Sequence, residues 1–578
     1  MTIVIATLRS RVQMAELVGS CKFRIAGSNP SAMRDAQKGH VVAKCQCRVG
    51  LRPGRIDCTP PQDPHTMRTK AILAFATVIL TIPLAASNFM VRRSSAVPAA
   101  PAIDATRSAD EIVKVRLRAD LAAMRAFRPA YPFWRHVFMI PDGAIAFGSA
   151  EDGRLLATFP AKGDWSRGAV WSDVTIARAL DRQSLAAKLR DRREQVALLI
   201  EHAAGPVLHN STRGDALLMN TPKYGSFLAE WGAIYERFGV PADIGLAQVI
   251  FESGLSGTRR SNANAVGFCQ WQQKNWKRLG ALTTFPIQER NQTTQAPYCA
   301  AYLSILAAKY GSFIPALSEH NAGGTNVGRA LIIGERLGGA DVRARYLLGS
   351  QLARDLRTLP DKEYGQVYGS YGIRSSLYAE MVFGNTVNVR QLIASTPQVS
   401  IHAMRAPRAI TLTEIVARTG LAADEVRRFN PALVDRVPAG AALYLPFTVA
   451  EFGSDVAFWR QPPGPSYTRV LDDFMRLAPD AEGWDDPTFA PVLADFKRRF
   501  KDTNTAEGAV METVLAYVMD QAYTSSRRTL LAEYRNSGKV RSLIERGVLE
   551  LDAVRHAAAL RAAAASPDII GRPAPILE

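Results

Sequence analysis

Histidine and cysteine are scarce, eight and six among 578 residues, and neither is arranged to ligate a metal. There is no HExxH pair and no Cys/His grouping at ligand spacing, so neither a metal site nor a cofactor is expected. Cys45-Gln-Cys47 stands without the second pair that a zinc or redox centre needs. A formal charge of +18 points to an anionic partner, whether a nucleic acid, a membrane surface or an acidic wall polymer. The chain lacks both an arginine-rich helix and aromatic-basic interleaving, so nucleic acid is not the expected partner. NAGGTNVG, residues 321–328, imitates a phosphate loop, but no strand precedes it and Lys-Ser/Thr is missing, which excludes that reading.

What is present is ordinary globular material, 47% apolar and 21% charged. A chain of 578 residues exceeds one core, so several domains are expected. Residues 1–66 differ from the rest, with four of the six cysteines (Cys21, Cys45, Cys47, Cys58) and no sustained apolar period. At Met67, MRTKAILAFATVILTIPLAASNFMV has a basic start, a long apolar run and small residues near its end. That pattern predicts an export signal or a membrane anchor over 67–91 and makes 1–66 an upstream extension before the natural start. A chain beginning at Met67 is expected to be exported and active. The run from Ala71 to Val91 is long enough to span a bilayer at about 1.5 Å per residue, so cleavage and inner-membrane anchoring both stay open. Either way the rest faces the periplasm.

An Ala/Pro/Ser-rich linker (92–108) leads to an accessory α/β region over 109–215. An amphipathic helix is predicted from Ala109 to Phe127, and HVFMI, AIAFG and LLATF, separated by PDG and EDG, read as a strand meander. Residues 172–206 return to helix. From about Lys223 the chain turns strongly helical: GSFLAEWGAIYERFG reads as one helix, and PADIGLAQVIFESG as another running from Pro241 to a stop at Gly254. Glu252 then falls in the last turn of an apolar helix, where the dipole disfavours a carboxylate. With Ile250, Phe251 and Leu255 beside it, its pKa should rise enough for it to serve as an acid.

Glu252-Ser253 is followed by Ser261, Asn264-Ala265, Gly267 and Phe268-Cys269-Gln270, then by Asn321-Ala322-Gly323 and Tyr378. This order resembles the soluble lytic transglycosylase family, whose signature is Glu-Ser, then Ser-x-x-Gly-Ala-x-Gly-Leu-Met-Gln, then Ala-Tyr-Asn-Ala-Gly, then a tyrosine. The resemblance covers 216–396 and implies a lysozyme-like, mainly helical catalytic domain that cuts the MurNAc-GlcNAc bond of peptidoglycan glycan strands. The implied chemistry needs one carboxyl. Glu252 first protonates the leaving oxygen, then takes the proton of the sugar's own C6 hydroxyl, which attacks C1 and leaves a 1,6-anhydro end; an oriented internal nucleophile reaches effective molarities of roughly 10⁵ M or more. The resemblance also implies that Ser253, Gly267, Phe268, Gln270, His320, Asn321, Ala322, Gly323 and Tyr378 form the sugar-binding surroundings, Tyr378 orienting Glu252. The chain departs from the signature at Asn264 (Gly), Phe268-Cys269 (Leu-Met), His320 (Tyr) and Gly257 (Pro). A hydrolytic muramidase and a non-catalytic wall-binding scaffold are the rival readings.

Cys269 and Cys299 lie in the matched region, and in an oxidising compartment they either form a disulfide or stay buried thiols. Residues 401–447 resemble a LysM module, with two short helices between strands, Asn430-Pro431 and Pro438-Ala439-Gly440, but Arg408-Ala409-Ile410 replaces the family's Gly-Asp-Thr. Glycan binding and packing alone both remain open for it, and its expected role is retention on the wall rather than catalysis. Residues 450–578 read as helical without a nameable motif. The predicted class is mainly α (α+β): a lysozyme-like domain with a small N-terminal β-meander, a βααβ module and a helical C-terminal region.

Overall fold

The computed structural model describes residues 108–180, 183–283, 290–476, 489–522 and 525–548. The upstream extension, the signal or anchor segment, the linker before residue 108 and the chain after 548 lie outside them. Among the described residues no helix is long and apolar enough to cross a membrane. The described chain is mainly helical, with a few small sheets.

Helix α1 (Ala109–Phe127) occupies the predicted span, and the Ser108 backbone N–H donates to the Glu111 carboxylate at 3.2 Å. Its apolar stripe buries Ile112, Val113, Ala123 and Met124 in the main core rather than in a separate accessory core. Two buried charges on the same helix have partners: Arg116 donates to the Met475 carbonyl at 2.6 Å, and Asp120 accepts from Ser312 Oγ and the Phe313 N–H, both at 2.7 Å.

HVFMI is not a strand. A 3₁₀ turn at Tyr131–Phe133, opened by Pro132, runs into helix α2 (Trp134–Val137), and Val137 and Phe138 bury themselves in the main core. The hairpin signal holds for β1 (Ala144–Ser149) and β2 (Leu155–Pro160), which pair antiparallel. Helix α3 (Trp165–Gly168), the short strand β3 (Val170–Trp171), helix α4 (Leu189–Ala204) and strand β4 (Val207–Ser211) follow. The sheet order is β3-β2-β1-β4, and β4 was not legible as a strand. Phe147, Phe159 and Trp165 from the sheet side meet Val196 and Ile200 of α4 in a small core of their own.

The central helices are α5 (Asp215–Tyr224), α6 (Leu228–Arg237), α7 (Ala242–Ser253), α8 (Gln273–Leu282), α9 (Gln292–Tyr310), α10 (Phe313–Ala322), α11 (Gly324–Arg336), α12 (Val342–Asp355), α13 (Asp361–Tyr368) and α14 (Ile373–Ser395). A hairpin of β5 (Ala265–Val266) and β6 (Trp271–Gln272) lies between α7 and α8. GSFLAEWGAIYERFG does not form one helix: a 3₁₀ turn at Gly225–Phe227 precedes α6. Helix α9 is buried around almost its whole circumference, and α14 packs along α7 and α10.

Strands β7 (Ile401–Arg405) and β8 (Ile410–Thr411) precede helices α15 (Leu412–Thr419) and α16 (Ala423–Phe429), and β9 (Arg436–Val437) and β10 (Ala442–Pro446) follow them, with two more short strands than the expected βααβ order and β7 antiparallel to β10. The module has a small core around Ile415, Val426, Leu443 and Leu445, but its other face is docked. Phe429 meets Phe227 with ring centroids 4.6 Å apart, Thr294 Oγ1 and Tyr444 Oη lie 2.9 Å apart, and Asn291 Nδ2 donates to the Phe429 carbonyl at 3.1 Å. Helices α17 (Pro465–Arg476), α18 (Phe489–Lys501), α19 (Ala506–Ala522) and α20 (Ser525–Asn536) then wrap back over the central helices, α19 packing on α9 and α8.

Candidate active site

Helix α7 delivers Glu252 and stops one residue later. Gly254 closes it in the left-handed region (φ 57°), its N–H donating to the Ile250 carbonyl, and the Ala216 backbone lies so close that a Cβ there would sit 2.8 Å from it. The carboxyl therefore leaves the helix in a fixed direction, into a cleft of about 550 Å³. That cleft is lined by Glu252, Gln270, His320, Asn321, Ala322 and Gly323 among the expected residues, joined by Trp271, Tyr302, Arg374 and Tyr517.

Only 13% of the Glu252 side chain is exposed. Burial pushes its pKa up to about 7, against the opposing pull of the Tyr378 hydroxyl and of Arg259 and Arg374. Tyr378 Oη donates to Glu252 Oε1 at 2.6 Å, receives Gln248 Nε2 at 3.3 Å, and packs edge-on against Phe251. Tyr378 itself is fully buried. It positions the acid from behind, and the expectation that it belongs to the sugar-binding surface is corrected to that extent.

His320 faces Glu252 from the other side, with Nε2 3.7 Å from Oε1, too long for a hydrogen bond. The same Nε2 lies 2.9 Å from the Cys269 carbonyl, which can only accept, so Nε2 carries the proton. Burial holds the ring pKa down at about 4, so His320 is neutral near pH 7 and adds no charge beside Glu252.

Besides Tyr378, three expected cleft residues do not line it. Ser253 is buried and donates to the Phe268 carbonyl at 2.9 Å, tying the end of α7 to the following loop. Phe268 points into the core against Trp231, ring centroids 4.8 Å apart, because a phenyl ring gains more from burial there than from a wet cleft. Gly267 has φ +86° and a Cβ on it would lie 2.3 Å from Gln295 Oε1, so its role is to let the backbone approach that side chain. Asn264, where the signature has Gly, adopts φ 59°, the left-handed conformation that Asn tolerates better than most residues. Gln270 also has positive φ (52°), and its Nε2 donates to the Gly267 and Arg259 carbonyls. Asn321 Oδ1 accepts from Ser375 Oγ at 2.8 Å.

Cys269 and Cys299 are joined in a disulfide, which fixes the loop carrying Gln270 to α9. The wall beyond His320 is aromatic. Trp271 meets Tyr302 at 5.0 Å and stacks on Tyr517 at 5.8 Å between ring centroids. Tyr517 comes from α19, more than a hundred residues beyond the matched segment, and no local sequence signal marks it. A second carboxylate lines the cleft, Glu319, but its Oε2 is taken by Lys309 Nζ at 2.6 Å and by the Tyr310 hydroxyl. Compared with known proteins, the chain matches no family model and no curated sequence.

Proposed function

We propose that the chain is an exported peptidoglycan lytic transglycosylase with a lysozyme-like catalytic domain, in which Glu252 acts as acid and then base. The observation that carries this reading is one buried carboxyl with its pKa near 7, held by Tyr378 at the edge of a cleft lined by amide side chains and aromatic rings. A general acid works best with a pKa near the working pH, where it is both protonated and able to give its proton up. Polar amides beside aromatic faces suit sugars, which present hydroxyls at their edges and C–H groups on their faces.

The protonated Glu252 gives its proton to the glycosidic oxygen as the C1–O bond breaks. The resulting carboxylate then takes the C6 hydroxyl proton as that oxygen bonds C1, closing the 1,6-anhydro ring and restoring the acid. Neutral His320 adds no further cation to the pull of Arg259 and Arg374, which burial of the carboxyl outweighs. Most glycosidases that use water or an enzyme nucleophile place a second carboxyl group across the bond. Glu319, the other carboxylate in the cleft lining, is engaged by Lys309 and Tyr310, which favours the internal nucleophile over hydrolysis. The Cys269–Cys299 disulfide fits an oxidising compartment and so supports export. The βααβ module is read as LysM-like, and the groove beside Asn430, Val434 and Pro438 is where it would meet glycan.

Digestion of purified wall with the full chain, followed by mass spectrometry, tests the reading. Products ending in 1,6-anhydroMurNAc are expected, and Glu252→Gln should reduce the rate by about 10² to 10⁴. Reducing-end products would indicate hydrolysis instead. An unaffected variant would remove Glu252 from the chemistry.

A further inference from the structure

Arg374 in the cleft lining has two arginine neighbours, Arg259, which together with it acts on Glu252, and Arg213, which interacts with both. Arg374 stands one helical turn before Tyr378 on α14 and so on the same face as the residue that holds Glu252. Arg259 lies on the loop after α7, its carbonyl pinned by the Gly267 N–H at 2.9 Å and by Gln270 Nε2 at 3.0 Å. Arg213 follows β4, its N–H bonded to the Val137 carbonyl, and leads into α5, whose Ala216 backbone abuts Gly254. All three side chains are exposed.

Other arginines do have carboxylate partners: Arg128 pairs with Glu380, Arg343 with Asp120 and Arg390 with Asp243. No described carboxylate forms an ion pair with Arg213, Arg259 or Arg374. Arg213 feels repulsion from both of the others, relieved in part by Asp142. Like charges brought together from three separate elements gain nothing from one another, whereas an anion placed among them would gain from all three. Guanidinium forks match carboxylates in particular, through paired N–H donors.

We infer that Arg213, Arg259 and Arg374 form a subsite for a carboxylate of the stem peptide carried by the glycan, next to the bond that is cut. The inference rests on the proposed function, and it makes charge on the peptide a determinant of where this protein cuts. The glycan backbone is otherwise neutral, so the stem peptide is the part of the polymer that such a cluster can read.

The test compares soluble glycan strands with free stem carboxylates against the same strands with those carboxylates converted to amides. The full chain is expected to show at least about tenfold higher kcat/KM on the free-carboxylate strands. The preference should shrink when ionic strength rises from about 0.1 M to about 1 M, as the screening length falls from ~10 Å to ~3 Å. It should collapse in Arg213→Gln/Arg259→Gln/Arg374→Gln, whose exposed positions leave folding intact, as a thermal melt will verify. Equal cleavage of the two strands, or a triple variant that keeps the preference, overturns the subsite. Binding of both strands to Glu252→Gln protein reads the subsite without turnover. A wild-type chain that cleaves neither strand while the variant still discriminates between them would sink the proposed activity and leave the anion site standing; no discrimination in binding sinks the subsite.

Discussion

A carboxyl withdrawn from water keeps its proton to higher pH, and Glu252 does so against three groups that pull the other way. Its folded-state pKa of about 7 lies above the ordinary value of 4.5, so the native state holds this proton more tightly than the unfolded chain. The resulting stability is fully present below pH 4.5 and is lost as pH rises through 7, on the order of 3 kcal/mol in all. Glu252→Gln lacks that dependence. Its melting temperature should therefore gain on the wild type between pH 4.5 and 7 and keep a constant lead above, whereas parallel curves from a series of pH-dependent melts would contradict the burial argument. Tyr378→Phe tests the other half of the pair. The hydroxyl donates to the ionised form, so its loss raises the Glu252 pKa further. The fall of activity at alkaline pH should shift upward in the pH-rate profile, with a lower maximum because the carboxyl is less firmly oriented.

At the scale of elements, the cleft depends on pieces far apart in sequence. Helix α7 carries the acid, the disulfide-tied loop carries Gln270, α10 carries His320 and Asn321, and α19 closes the aromatic wall with Tyr517. Tyr517 is 5% exposed, so truncation removes packing as well as a wall. Tyr517→Ala should cost about 3 kcal/mol in denaturant unfolding. It should raise KM more than it lowers kcat, since the ring touches the cleft's side wall rather than the carboxyl. A change confined to kcat would place Tyr517 in the chemistry.

Across the whole molecule, the βααβ module and the C-terminal helices are parts of one packed body with the central helices. Arg428 on α16 lies over both Phe227 and Phe429, 4.6 and 4.9 Å from the ring centroids, and donates to Ser226 Oγ at 2.9 Å. Arg237 on α6 pairs with Glu507 on α19, and Tyr534 on α20 donates to the Val367 carbonyl at 2.7 Å. This packing gives the module a structural part beside the wall retention expected of it. Deleting residues 401–447 would bare Phe227, Asn291 and Thr294, so melting temperature and cutting of soluble glycan should fall along with wall binding. Loss of wall retention alone, with stability unchanged, would restore the picture of a tether.

Sequence by itself determined what short-range physics controls. The span of α1 follows from its apolar period and the Ser108-Glu111 start, the end of α7 from Gly254, and the left-handed turn at 264 from an asparagine. Glu252 stood out because a carboxylate at the end of an apolar helix runs against the dipole. Only the tertiary structure decided the rest. HVFMI became the end of α2 and a turn because its apolar side chains find the main core, and Phe268 turned inward for the same reason. Ser253 proved to be a clasp, Tyr378 a support behind the acid, and Tyr517 part of the cleft wall, since each depends on contacts made 15, 126 or more than 200 residues away. Local pattern can state which face of a helix is apolar; which distant segment covers that face is set by the competition of all such faces for one interior.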